Sequence, residues 1–310
     1  MFVDFEHHNT NLEAGVLGTL AFFDLYNVPV TAEKVWSLLY KAQGGKGEVL
    51  NVLKTLANQR KIFFKDGSYA LKNWTGDEQK NREQEISKRQ KKVQKFLWLL
   101  ALLPFVRSMS VINSLSMGAC DKDSDIDFFV ITAPGFLYFT RTVIIISLRL
   151  LGLYKTRTKI SGQFCFGFYV SSRYVVLNNI LITPEDPYMA FWLASAQPLF
   201  GKRYYLKLID TNQWLFKYLP NFTPTENLYR FISKPKSLYI KPILETILFV
   251  PAIILEPWLR KIHINHTFKL PENHWATSTT IANKDMLKLH ALDPREKIRE
   301  DFSARFQVLI

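Results

Sequence analysis

Residues 105–132 read FVRSMSVINSLSMGACDKDSDIDFFVIT. Positions 125–131 begin with alternating polar and apolar residues and end in an apolar run, the pattern of a strand entering a core. Side chains two apart on a strand share a face, so the carboxylates of Asp125 and Asp127 point the same way while Ile126 turns into the core. Such a pair repels itself unless a positive charge lies between its members. A hard, oxygen-seeking cation such as Mg²⁺ is the usual solution, often with substrate phosphates completing its shell. Upstream, Asn113, Ser114 and Gly118 form a small-residue turn leading into a helix, which presents backbone amides and a hydroxyl to phosphate oxygens. The candidate site is therefore Asp125 and Asp127 as metal-holding, catalytic carboxylates, with Asn113, Ser114, Gly118 and Ser124 on the phosphate side.

This constellation resembles the polymerase-β-like nucleotidyltransferase superfamily, whose pattern is Gly-Ser, a glycine-containing helix start and Asp-x-Asp at the head of a strand. Ser114, Gly118, Asp125 and Asp127 match it, and SLSMGACDKDSDIDFFVIT is particularly similar to the bacterial stand-alone members. The resemblance is specific over 105–132. It extends more loosely to Leu219 through an expected helix at 136–153, an expected strand at 163–170 and the segment PLFGKRYYLKLIDTNQWLFKYLPNF. It implies an α/β (α+β) fold with a mixed β-sheet and helices, Mg²⁺ or Mn²⁺ as cofactor and a nucleoside triphosphate as substrate. The nucleoside monophosphate would pass to an acceptor that is a protein, a small molecule or an RNA end.

Two positions depart from the pattern. The glycine before the serine is Asn113, which tolerates a left-handed backbone but whose side chain would crowd an incoming phosphate. The third carboxylate that the superfamily commonly carries on a later strand is missing from 163–170, leaving Asp121, Asp123, Glu185 and Asp186 as candidates. The departures also admit a catalytically inactive nucleotide-sensing regulator or a DNA-binding protein.

Residues 1–75 read as three helices and a hairpin. Leu12, Val16, Leu17, Leu20, Ala21 and Phe22 recur at helical spacing; Thr31 is placed to cap a second pattern through Val35, Leu38 and Leu39. A third runs through Val49, Leu50, Leu53 and Leu56, and Asp66-Gly67 separates two strand-forming runs. Three helices followed by a hairpin make a winged helix. Its third helix would offer Asn51, Lys54, Thr55, Asn58 and Gln59 to a groove. Only one of these is charged, and residues 1–75 carry eight basic against seven acidic residues. That balance favours protein docking or intramolecular packing over DNA contact, which depends on phosphate-contacting cations.

Residues 76–104 read as one connecting helix, with Lys88, Arg89, Lys91, Lys92 and Lys95 expected on a solvated face in preference to attracting phosphate. Residues 105–215 form the nucleotidyltransferase-like part, with 191–218 expected helical and broken at Pro198. Residues 216–310 read as a mainly helical region cut into short units by prolines. There Lys284, Lys288, Arg295, Lys297, Arg299 and Arg305 are either phosphate ligands for the acceptor or solubilising charge. The net charge of +13 excludes neither an enzyme nor a nucleic-acid binder, whereas 48% hydrophobic residues exclude a disordered chain. Cys120 and Cys165 build no disulfide framework and read as small buried hydrophobes in a reducing compartment. His263, His266, His274 and His290 make a poor zinc set. The first residues lack the form of a signal peptide. The apolar stretches 96–106, 143–154 and 246–255 fall short of the roughly 20 residues that span a bilayer. The last, broken by Pro251 and flanked by Glu245 and Glu256, reads as a buried helix pair. The expectation is a cytoplasmic protein with no integral membrane insertion, peripheral attachment through the aromatic C-terminal part being the lesser alternative.

Overall fold

The computed structural model describes residues 2–224, 235–270, 279–289 and 293–310, with residues 2–10 by backbone alone. His274 and His290 lie outside the described residues. The first elements follow the periodicity of the sequence: α1 (Phe2–Asp24), β1 (Val30–Thr31), α2 (Ala32–Ser37), α3 (Lys46–Asn58), β2 (Phe63–Lys65) and β3 (Ser68–Ala70). Thr31 caps α2 by accepting the Lys34 amide. Asp66 and Gly67 have φ of 51° and 75°, the two-residue turn whose twist matches its flanking strands. β1 pairs with β3 to complete a small three-stranded sheet. α4 (Gly76–Leu102) opens with a capping box in which Thr75 and Glu78 satisfy each other's amides.

A second, mixed sheet has the strand order β7-β4-β5-β6-β9-β8. Its strands are β4 (Val106–Ile112), β5 (Ile126–Thr132), β6 (Phe164–Ser171), β7 (Gln197–Phe200), β8 (Ile281–Ala282) and β9 (Met286–Lys288). β5 and β6 run parallel and the other pairings are antiparallel. The helices of this part are α5 (Asn113–Met117), α6 (Leu137–Leu150), α7 (Pro187–Ser195), α8 (Lys202–Thr211), α9 (Leu215–Tyr218), α10 (Ser237–Lys269) and α11 (Arg295–Leu309). The protein is thus mixed α/β.

The two faces of the sheet have different covers. Val111, Ile126, Phe128, Phe164 and Phe166 share a core with Val93, Leu97 and Leu100 of α4 and with Ile144 and Leu148 of α6. Ile112, Phe129, Ile131, Phe168 and Val170 share another with α1, α7 and α8. Phe22 of α1 stacks on Phe191 of α7 at 3.9 Å, and Phe302 of α11 packs edge-on against Phe22 and Tyr40. The N-terminal elements therefore dock within the chain through α1 and its neighbours, leaving Asn51, Lys54, Thr55, Asn58 and Gln59 of α3 exposed.

Several expectations are corrected. The stretch 191–218 is not a helix interrupted at Pro198: Pro198 lies in edge strand β7, where a residue without an N–H is tolerated. Prolines do not chop the chain after 220, since Pro242, Pro251 and Pro257 all lie inside α10. Nor is 246–255 half of a buried helix pair. α10 is one continuous helix, and of its most apolar 18 residues only 11% are buried. Among the described residues it is the one helix long and apolar enough, by length and composition, to cross a membrane. Tertiary contacts outweigh the roughly 3 kcal/mol that an interior proline costs a helix.

The basic tail is also largely structural. Lys288 and Arg295 are buried in a network with Asp293 and Asp186. Arg299 donates to the Thr183 carbonyl and Arg305 pairs with Asp24. Ion pairing and core packing have claimed four of the six cations that were candidates for acceptor phosphates.

Candidate active site

Strand pairing assembles the site. The antiparallel β4–β5 register sets Ile112 opposite Asp127, and the parallel β5–β6 register sets Cys165 on its other side. Asn113, the next residue after Ile112, turns the chain out of β4 into α5 with φ of 58°. This left-handed conformation is one that asparagine adopts more readily than other side-chain-bearing residues. The Asn113 side chain does not stand free to crowd a phosphate. It lies beside Asp127, where it favours the ionised carboxyl, and its Oδ1 accepts the Trp192 indole N–H at 2.8 Å.

Asp125, Asp127 and Cys165 each offer a ligand atom, and these atoms all lie within 4.8 Å of one another. Among the described residues this is the only such group of three His, Cys, Asp or Glu side chains. Burial pushes the Asp127 carboxyl up to about 6, with the Asp125 charge adding to the rise and the neighbouring Asn113 and Cys165 side chains opposing it. Burial, with Asp127 beside it, holds the Cys165 thiol far above its ordinary range. Lys155 reaches Asp125 Oδ2 at 2.7 Å. Burial works against the Lys155 charge, but the bond to Asp125 and the neighbouring acidic groups outweigh it and lift its pKa.

None of the four acidic residues considered for the third position joins this group. The Asp121 carboxylate accepts the Ser124 hydroxyl and the Asp123 amide within its own loop. Glu185 pairs with Lys41. Asp186 caps α7 and pairs with Arg295. Cys165 stands beside Asp127 instead. It is a member of the polar cluster, not the inert hydrophobe that its apolar sequence neighbours suggested, because the strand pairing turns it to the carboxylate face.

Of the residues expected on the phosphate side, Ser124 holds its loop by bonding to Asp121. Gly118 does not open a helix; it ends α5 with φ of 82°, where a side chain would be strained. Ser114 supplies the carbonyl that closes this turn, accepting the amides of Gly118 and Ala119, and its hydroxyl accepts the Cys120 thiol at 3.7 Å. Asn113 is the member of this set that neighbours the carboxylate pair.

The loop before β5 is braced from α4. Arg89 is buried, against the expectation of a solvated face, and its guanidinium donates to the carbonyls of Lys122 and Ser124 and pairs with Glu85. Lys92 donates to the Gly162 carbonyl of the facing turn. Charge density in the sequence marked these cations without distinguishing Arg89 from its neighbours. Lys155 carried no sequence signal, because only the folding of the segment after α6 brings it to Asp125.

A cavity of about 280 Å³ is lined by Asn113, Ile112, Phe168, Tyr188 and Trp192 and by the charged Lys288, Asp293 and Arg295. Its aromatic side chains suit a planar ligand, and its charged residues pair with one another. Compared with family models, curated proteins and solved structures, the chain matches none.

Proposed function

We propose that the protein is a Mg²⁺- or Mn²⁺-dependent nucleotidyltransferase that moves a nucleoside monophosphate from a nucleoside triphosphate to a protein, small-molecule or RNA-end acceptor. The observation that carries this is the shared face of Asp125 and Asp127 at the head of β5, with Asn113 beside one of them and lining the aromatic cavity. The donor set fits a hard divalent cation. Two clustered carboxylates, one of them resisting ionisation in its buried setting, are stabilised by a charge of +2. A bound cation would orient the acceptor oxygen and offset charge on the α-phosphate and the departing pyrophosphate.

The chain's own residues do the positioning. Trp192 holds Asn113 beside Asp127, and Arg89 holds the loop that delivers Asp125. Lys155 is a cation at the edge of the pair that suits a triphosphate oxygen. Phe168, Tyr188 and Trp192 offer faces on which a base stacks. The element order of residues 1–75 supports a winged-helix-like module, and its docked α1 supports an intramolecular role over DNA contact. The free Cys120 and Cys165 suit a reducing, cytoplasmic setting.

One observation favours a second possibility, a nucleotide-binding protein without turnover. Cys165 occupies the position beside Asp127 where a third carboxylate would hold the metal or accept a proton. Incubation with each labelled nucleoside triphosphate and Mg²⁺ or Mn²⁺ separates the two. Metal-dependent pyrophosphate release, lowered by on the order of a thousandfold in Asp125→Asn with the fold intact, is expected of the transferase. Nucleotide binding without release supports the second possibility, and neither binding nor release defeats both.

A further inference from the structure

α10 carries its polarity inside out. Between Tyr239 and Trp258 its charged residues are Lys241, Glu245 and Glu256, and all three face the α/β body. Lys241 donates to the Val106 carbonyl at the start of β4. Glu245 accepts the Phe105 amide at 2.7 Å and both pairs with and accepts from Arg107. Glu256 accepts the amides of Tyr138 and Phe139 at 3.1 and 2.7 Å, capping α6, whose own first residue supplies no side-chain cap. Two turns farther on, His263 bonds Arg141 and Thr142. Positions 241, 245, 252, 256, 259 and 263 recur at three, four and seven residues, so the stripe that an ordinary surface helix fills with apolar side chains here holds Lys241, Glu245, Glu256 and His263.

The remaining face is apolar and exposed. At 100° per residue, its exposed apolar side chains run from Phe249 round to Leu255 and take in Ile243, Ile247, Ile254 and Trp258, an arc of about 240°. A single partner helix covers a stripe of roughly 100°. An arc more than twice as wide needs a fluid apolar medium that wraps the helix. Exposed Lys236 and Lys261 bracket the band, matching anionic headgroups, and the rings of Tyr239 and Trp258 near its two ends suit the headgroup boundary.

We propose that the outer face of α10 docks the protein on an anionic lipid bilayer, with the helix lying in the membrane surface. It does not span the bilayer, because its inner face is bonded along its length to β4 and α6. Full-length protein should float with vesicles of phosphatidylcholine mixed with phosphatidylglycerol, float less with phosphatidylcholine alone, and be released by alkaline carbonate. Ile247→Glu with Ile254→Glu, two exposed positions that leave the inner contacts intact, should abolish flotation. Brominated lipid should quench tryptophan emission of the otherwise native chain, and Trp258→Phe should remove most of that quenching, a readout independent of how the double variant folds. Three results overturn the proposal: no flotation with a dimer that the double variant splits, which makes a second copy the occupant; retention after alkaline carbonate, which makes the helix spanning; or flotation without quenching attributable to Trp258.

Discussion

The head of β5 and the inner face of α10 both hold charge away from water, but they complete it differently. Along α10, Glu245 and Glu256 receive amide and guanidinium hydrogens from the protein itself. At β5, Asp125 and Asp127 sit together with a thiol, Lys155 pairs with one and Asn113 neighbours the other. Buried charge that the chain satisfies is architecture, because its removal leaves orphaned amides. Two carboxylates gathered with a thiol, and with Lys155 on one of them only, are the feature on which the proposed cation site rests.

The largest stability effect should come from the satisfied side. Glu256→Ala leaves two buried amides at the start of α6 without an acceptor and should cost about 2–3 kcal/mol in denaturant unfolding. Glu256→Gln, which keeps an acceptor oxygen, should recover part of that loss. If Glu256→Ala leaves stability unchanged, the inward charges of α10 are not what secures it.

The metal-free carboxylate pair should behave oppositely. Asp127 binds its proton more tightly folded than unfolded, about 6 against an ordinary 3.8. The folded state therefore holds more protons between those values, and stability falls as pH rises through that interval. Asp127→Asn removes this penalty, so the variant should melt a few degrees above the native chain at pH 7.5 without metal. At pH 4 the gap should close. A gap equally wide at both pH values would mean that Asp127 is not the group responsible.

An opposite slope of comparable size belongs to His263. Burial, with Arg141 and His266 adding to it, pulls its pKa down to about 4 from 6.5. Its contribution is present above 6.5 and is lost as pH falls through 4, because the unfolded chain takes up the proton first. Comparing melting of the native chain and His263→Asn at pH 7 and pH 5 should show the native chain losing more on acidification.

Much of this was legible from local pattern. The Asp125–Asp127 strand, the Asp66-Gly67 hairpin and the Thr31 cap each depend on neighbours within a few residues. Cys165, Lys155 and Arg89 did not show themselves, because their roles arise from a parallel register, a turn after α6 and a helix crossing, all long-range pairings. α10 misled for a related reason. Pro251, Glu245 and Glu256 look like helix breakers and solvent markers in isolation, and only their contacts with β4 and α6 turn them into anchors.

Isothermal titration of Mn²⁺ into the native chain and into Asp125→Asn with Asp127→Asn, each with and without a non-hydrolysable nucleoside triphosphate, bears most directly on the carboxylate pair. The native chain should bind Mn²⁺, more tightly when the nucleotide is present, and the double variant should lose at least tenfold in affinity under both conditions. Equal binding by the two proteins, or no binding by the native chain with nucleotide present, would contradict a cation held between Asp125 and Asp127.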